Sequence, residues 1–302
     1  MNAEKWLAAH THSLKGRRIA ITGATGGIGR ELCRYLCRLE AALILLDRNK
    51  ERSAALERTL KEEFPVADIA RIPLDLEDIH SVRDACERLK AQPPDGLIHN
   101  AGAYSIPRHR CETGLDNVFQ INCASPYYLT RQLLPVMGPG ARVVMVGSIA
   151  HNYSRSDLAD IDFSTRKAAS KVYGNAKRRL MCALYELFRE ETEVTLAVAH
   201  PGITFTNITA HYPKVIFALI KHPMTVIFMK PKTACLSILQ GLFDPCDYHT
   251  WIGPRLFGIW GAPQKRRLHT VTPEESRRIF AETERMYREM EGDLRQKNIS
   301  CV

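Results

Sequence analysis

The sequence has no run of eighteen or more apolar residues, so no helix able to cross a bilayer is expected. Its opening residues, MNAEKWLAAHTHSLKGRR, lack the apolar stretch of a secretory signal. None of its nine cysteines stands in a CxxC pair, and no metal site is expected. Cys33 and Cys37 lie four apart in a helical pattern, a spacing ill suited to a mutual disulfide. Reduced thiols in a cytosolic compartment fit best, so a cytoplasmic protein is expected. There is also no internal repeat, low-complexity tract or interdomain linker. The simplest reading is one domain over 1–302, with an extension at 1–16, a substrate lid near 203–232 and a helical tail near 262–302.

What is present is ordinary for a globular chain: 302 residues, 45% apolar and 25% charged. That composition excludes a disordered or fibrous protein, and the length allows a core needing no disulfide or metal staple. The net charge of +9 favours anionic partners such as nucleotide phosphates, an anionic membrane or nucleic acid. Basic clusters at 15–18, 178–179 and 265–267 read as solvated surface. No aromatic residues interleave with them, which disfavours nucleic acid.

Apolar runs alternate with helical patterns through the first two hundred residues. Strands are expected near 18–22, 42–46, 67–73, 96–99, 142–146 and 194–199, with a seventh near 248–252. Helices are expected near 27–39, 50–63, 79–90, 115–136, 165–190 and 233–243, with a charged one after Thr272. This is the pattern of an α/β fold, a Rossmann-type doubly wound parallel sheet, whose ligand crevice lies at the carboxyl ends of the strands.

Residues 18–29 read RIAITGATGGIG, an apolar strand, a glycine-rich turn and a helix start. Glycine lets the backbone approach a pyrophosphate with no Cβ in the way, and the N–H groups of the helix start face the anion. Such a turn can also be merely a tight corner, but its place at the first strand–helix junction favours a dinucleotide. The second strand ends Leu46-Asp47-Arg48, where such folds place a ribose discriminator. A carboxylate there binds both ribose hydroxyls and repels a 2′-phosphate; an arginine attracts one. Asp47 comes first beyond the apolar run, so NAD is favoured, with NADP left open.

Tyr173 and Lys177 share one face of a helix. An ammonium beside a phenol favours the phenolate, drawing the tyrosine towards the range of an acid–base catalyst. Alone, such a pair usually means a snorkelling lysine beside a half-buried tyrosine. Here the fifth strand runs into Ser148, whose hydroxyl either binds a substrate oxygen or closes a strand-end turn. Asn122 sits in an apolar helix and needs an internal partner: a backbone carbonyl with a water leading to Lys177, or plain helix–sheet bonding.

In combination these segments resemble the short-chain dehydrogenase/reductase family over about residues 15–260. TGATGGIG matches its TGxxxGxG turn, which implies cofactor contacts at Thr22, Gly23, Thr25, Gly27, Ile28 and Gly29, besides Asp47 or Arg48. Asp75 and Leu76 match the pair that holds adenine. Asn100, Ala101 and Gly102 match the NAG motif, with His99 in place of the commoner first Asn. Asn122, Ser148, Tyr173 and Lys177 match the catalytic tetrad in order, the last two also meeting the cofactor. Pro201, Gly202, Ile203 and Thr206 match the segment that touches the nicotinamide carboxamide. The 25 residues from Ser148 to Tyr173, the DLADIDF stretch, HPG at 200–202 and WG at 260–261 are similar to the retinol dehydrogenase-like branch. That branch usually prefers NADP and has a neutral residue before its arginine; Asp47 departs from it. The N-terminal membrane anchor of several such enzymes has no expected counterpart here.

The resemblance implies reversible hydride transfer between an alcohol and its ketone or aldehyde. Tyr173 would exchange the proton, Ser148 fix the oxygen, Lys177 bind ribose and lower the Tyr173 pKa, and Asn122 hold a relay water. Segment 213–229 lies where relatives have a lid. Its Val215, Ile216, Phe217, Leu219, Val226, Ile227, Phe228 and Met229 suit a small lipophilic substrate such as a steroid or retinoid, or else ordinary packing. Lys214, Lys221, Lys230 and Lys232 beside it leave peripheral membrane contact open. A homodimer through the helices near 115–136 and 165–190 is open too. The rivals are a non-catalytic dinucleotide sensor, a nucleotide-sugar epimerase, which needs a larger C-terminal part, and a nucleic-acid binder.

Overall fold

Strand segments such as Ile19-Ala20-Ile21 and Leu43-Ile44-Leu45-Leu46 are apolar on both faces, and in the structure both faces are buried. The computed structural model describes residues 3–191, 193–203 and 229–299. Strands β1 (Arg18–Thr22), β2 (Ala42–Asp47), β3 (Ile69–Pro73), β4 (Gly96–His99), β5 (Arg142–Val146), β6 (Thr195–Ala199) and β7 (Thr250–Leu256) pair in parallel. A final β8 (Trp260–Arg267) returns antiparallel to β7, and the sheet order is β3-β2-β1-β4-β5-β6-β7-β8. The order reverses direction between β1 and β4, which opens a crevice at their carboxyl ends.

The helices are α1 (Ala3–His10), α2 (Gly27–Arg38), α3 (Lys50–Glu63), α4 (Ile79–Ala91), α5 (Asn117–Phe119), α6 (Ser125–Leu133), α7 (Ala169–Leu187), α8 (Pro231–Phe243) and α9 (Pro273–Ile299). One face of the sheet packs Ile21 and Val144 against Leu32, Leu36, Leu236 and Leu239 of α2 and α8. The other packs Leu97, Val143 and Val198 against Leu89, Tyr127, Leu180 and Ile279 of α4, α6, α7 and α9. Each buried leucine of this kind stabilises the fold by roughly 1.5–3 kcal/mol. Asn49 and Asp78 cap α3 and α4 by accepting from the N–H groups of Arg52 and His80, which fixes the two turns on the crevice side.

The structure departs from the sequence expectations in three places. The helix expected at 115–136 is interrupted by a π turn at Gln120–Ala124. The hairpin strand β8 and the short α1 are additional. The basic pair at 178–179 is not solvated surface: Arg178 and Arg179 are 4% and 1% exposed. Arg178 is buried because its guanidinium grips Glu275 of α9 and donates to the Thr270 carbonyl at 2.7 Å, while Arg179 donates to the Asp157 carbonyl. On the helix at 125–133, α9 of the same chain packs across one face. Tyr127 and Tyr128 bond Glu284 and Glu291, and Arg131 lies 2.8 Å from Glu284.

Candidate active site

The first turn of α2 is built directly on the end of β1. Gly23 has φ +66, and a Cβ there would lie 3.0 Å from the Ala101 backbone. A Cβ on Gly29 would lie 2.4 Å from the Gly23 carbonyl, so only glycine lets the helix start this close to the turn. Asn100 donates from Nδ2 to the carbonyls of Thr22 and Gly23, both at 3.0 Å, and Ala101 N donates to Thr22 Oγ1 at 3.0 Å. The NAG segment thus pins the glycine turn. Gly26, the N-cap of α2, offers no capping side chain, and the first turn holds no acidic residue. Its N–H donors and positive dipole end are left for an anion.

Asp47 is buried at the end of β2. Its Oδ1 accepts from Thr25 N and Oγ1 at 3.0 and 2.9 Å, and its Oδ2 from Ser53 Oγ at 3.2 Å. Burial raises its pKa against the opposing pull of those bonds. Arg48, next to it, is exposed and faces Glu77 at 3.3 Å and Asp75 at 4.0 Å. A cavity of about 370 Å³ opens along this edge. It is lined by Gly23, Thr25, Gly27, Ile28, Gly29, Asp47, Arg48, Asp75, Leu76, Asn100, Ala101 and Gly102, all nominated from sequence. Thr22 lies beneath it, bonded to β4 and Ala101. Arg52 and Glu77 also line it and were missed; the only signal was their closeness in sequence to Arg48 and Asp75.

A second cluster adjoins the Gly102 end of the cavity. Asn122 lies in the π turn, which redirects the helix and brings its amide onto the β4–α5 connection. Its Nδ2 donates to the carbonyls of Ala103 and Val118, both at 2.8 Å, and its Oδ1 accepts from Ala103 N at 3.3 Å. A Cβ on Gly102 would sit 2.9 Å from Asn122 Oδ1 and 3.5 Å from Lys177 Nζ. Asn122 and Lys177 therefore flank one glycine. Lys177 donates to the Val146 carbonyl at 3.1 Å, and its Nζ lies 5.7 Å from the Tyr173 ring centroid. Burial pulls its pKa down to about 8.

Ser148 lies two residues beyond β5 and caps the 3₁₀ turn Ile149–Tyr153 by accepting from Ala150 N at 3.2 Å. That turn packs on α7 where Gly174 has no side chain: a Cβ there would lie 2.3 Å from the Ala150 carbonyl. The contact sets Tyr173 beside Ser148, close enough for the serine hydroxyl to favour the phenolate. Tyr104 meets the Tyr173 ring edge-on at 5.4 Å. Burial pushes the Tyr173 pKa up to about 12, with the neighbouring Ser148 hydroxyl pulling the other way. The lowering by Lys177 expected from the sequence does not appear: burial is the largest effect on Tyr173, and the opposing pull comes from Ser148.

Pro201, Gly202 and Ile203 follow β6 at the same end. Gly202 has φ +80 and is pressed between Ile259 O and Met229 Sδ, at 2.7 and 2.8 Å from where its Cβ would be. Thr206 and the lid residues Val215, Ile216, Phe217, Leu219, Val226, Ile227 and Phe228 lie outside the described residues, while Met229 is buried. Among the described residues no cluster of His, Cys, Asp and Glu could hold a metal ion.

The short chain dehydrogenase family profile matches residues 17–214. Mouse (Mus musculus) retinol dehydrogenase 14 is 31% identical over 214 residues, covering 66% of this chain and 64% of that protein. Mouse polyprenol dehydrogenase is 29% identical, covering 76% and 72%. Among solved structures, an uncharacterized protein from Mycobacterium Paratuberculosis superposes with a TM-score of 0.76 at 25% identity, covering 93% and 97%. A Pseudomonas aeruginosa RhlG/NADP active-site complex shares the fold with a TM-score of 0.56 at 24% identity, covering 76% and 91%. On this match and this topology, the chain belongs to the short-chain dehydrogenase/reductase family, in its retinol dehydrogenase-like branch.

Proposed function

We propose that this protein interconverts a lipophilic primary or secondary alcohol and its aldehyde or ketone, with a nicotinamide dinucleotide as redox partner and Tyr173 as the acid–base group. The observation that carries the reading is the buried Tyr173 set beside Ser148, one helical turn from Lys177, near the cavity's Gly102 end. The uncapped start of α2 and the glycine cradle fit a pyrophosphate. Residues Gly23, Thr25, Gly27, Ile28 and Gly29 would hold it, with Thr22 behind. Asp47, Arg48, Asp75 and Leu76 would surround the adenosine, and Asn100 to Gly102 its edge. Pro201, Gly202, Ile203 and Thr206 would meet the carboxamide, and Tyr173 and Lys177 the nearer ribose. When bound, the dinucleotide would accept or supply a hydride.

Three carboxylates, Asp47, Asp75 and Glu77, line the adenosine end against Arg48 and Arg52. That balance disfavours a 2′-phosphate and supports NAD. Ser148 would fix the substrate oxygen, Tyr173 would exchange its proton, and Asn122 would anchor the relay towards Lys177. The retinol and polyprenol relatives support a lipophilic substrate. The same reading treats 1–302 as one domain, because a single sheet runs from Arg18 to Arg267.

Positioned acid–base groups contribute about 10²–10⁴-fold to turnover. Tyr173→Phe is expected to lose that much turnover on a panel of retinoids, steroids and simple alcohols while still binding dinucleotide. Undiminished turnover by Tyr173→Phe would refute the assignment, and running NAD and NADP in parallel tests the cofactor preference.

A further inference from the structure

Strands β7 and β8 are joined by residues 257–259, in a tight turn where Ile259 N donates to the Leu256 carbonyl at 2.9 Å. The two central residues, Phe257 and Gly258, have φ +54 and +70. Two successive left-handed residues make the tight hairpin turn that favours Asn-Gly. Gly258 suits it; Phe257 does not, because its Cβ crowds the backbone in that conformation. The ring gains no packing in return, being 85% exposed, and Leu256 beside it is 50% exposed. An aromatic residue is therefore held in a strained conformation and presented to solvent, where folding of the chain alone has no use for it.

Its place in the fold is informative. β7 runs parallel to β6, so the tip projects from the crevice end of the sheet. Gly258 lies against Ile149, the residue after Ser148, and Ile259 closes on Gly202. On the same end Tyr153 is 54% exposed. Arg255 in the hairpin, Lys230 after the buried Met229, and Arg155 after Tyr153 are exposed, and none has a carboxylate within 4.0 Å among the described residues. The chain as a whole carries +9. Exposed apolar side chains and exposed cations on one end of the sheet complement an anionic bilayer, whose interface takes the rings while its headgroups take the charges.

We propose that the Leu256 and Phe257 tip inserts into an anionic lipid surface, with Arg255, Lys230 and Arg155 against the headgroups. The crevice mouth then faces the membrane. The benefit for a lipophilic substrate rests on the function proposed above; the docking does not. No described helix is long and apolar enough to span a bilayer, so the contact is peripheral.

Flotation of the full chain with phosphatidylcholine vesicles, with and without phosphatidylserine, tests this. The protein is expected to float with the anionic vesicles, to stay behind with the neutral ones, and to be released by salt. Phe257→Gly is expected to weaken binding roughly tenfold, with a raised Tm because glycine accepts the turn's φ. Phe257→Trp is expected to show blue-shifted emission on anionic vesicles. Failure of the unaltered protein to float, or undiminished binding by Phe257→Gly, would overturn the proposal. So would a concentration-dependent dimer abolished by Phe257→Gly, since a second copy would then be the occupant. None of these readouts depends on catalysis, so loss of the enzymatic reading leaves them interpretable.

Discussion

At the scale of single residues, burial sets the chemistry of the site more than charge pairing does. Tyr173 is pushed up to about 12 and Lys177 pulled down to about 8, both by desolvation. In the reducing direction Tyr173 must carry its proton, and it does so across the ordinary range. Lys177 is the group that changes: its ammonium is present below about pH 8 and lost above it. Reductive kcat/KM is therefore expected to be flat up to about pH 8 and to fall beyond it. Lys177→Met should lower it at every pH by roughly 10²-fold and abolish the bend; a bend that survives in the variant would exclude Lys177 as its source. The residue types and spacing of the tetrad were legible in the sequence, because proton exchange needs a phenol, an amine and a hydroxyl at set intervals. The surroundings were not. Asp47 reads as a free ribose discriminator, yet Thr25 of the glycine turn and Ser53 of α3 already hold both its oxygens. Arg178 reads as surface because its partner, Glu275, stands 97 residues away.

At the scale of elements, one contact joins the strand end that carries Ser148 to the helix that carries Tyr173. That contact is Gly174 against the Ala150 carbonyl, and neither residue stood out in the sequence, since a glycine within a helix has no local signature of what it faces. Gly174→Ala places a Cβ 2.3 Å from that oxygen unless helix and turn separate. Overpacking of this kind costs about 1–3 kcal/mol, and a shift of about 1 Å in the reacting groups costs on the order of 10²-fold in rate. The variant is expected to show a lower urea midpoint and a reduced kcat with dinucleotide affinity unchanged, because the glycine cradle lies on other elements. An unaltered kcat would mean that the placement of Tyr173 beside Ser148 does not depend on this contact. The parallel strands were readable as apolar runs between helical patterns. The antiparallel β8 was not, because its Pro263 and the basic residues at 265–267 mimic a solvated loop. The π turn was hidden as well: it goes with the bonding of Asn122 to Ala103, a contact across the chain rather than a local propensity.

For the whole molecule, three buried histidines tie stability to pH. His99 bonds Thr130, His151 bridges the Ser148 carbonyl and Thr270, and His200 stacks on Trp251. Burial lowers their pKa values to about 3, 4 and 4 from an unfolded value near 6.5. A depressed histidine is neutral in the fold, so the unfolded chain binds the proton first as pH falls. The stability each contributes is fully present above about 6.5 and drains away towards its folded value, by up to about 1.4 kcal/mol per pH unit. Three together remove about 4 kcal/mol per unit, against a typical total of about 5–15 kcal/mol. The carboxylate that grips Arg178, Glu275, has a lowered pKa and loses its contribution only at more acid pH. Histidine protonation therefore begins the acid transition. Urea midpoints measured from pH 7 downwards are expected to start falling near pH 6, before carboxylates titrate, and unfolding is expected to be complete near pH 4. His99→Gln, which keeps a donor for Thr130, should reduce the slope by about one proton. Midpoints that stay level from pH 7 to 5 would show that these three rings do not govern acid stability, whatever their burial.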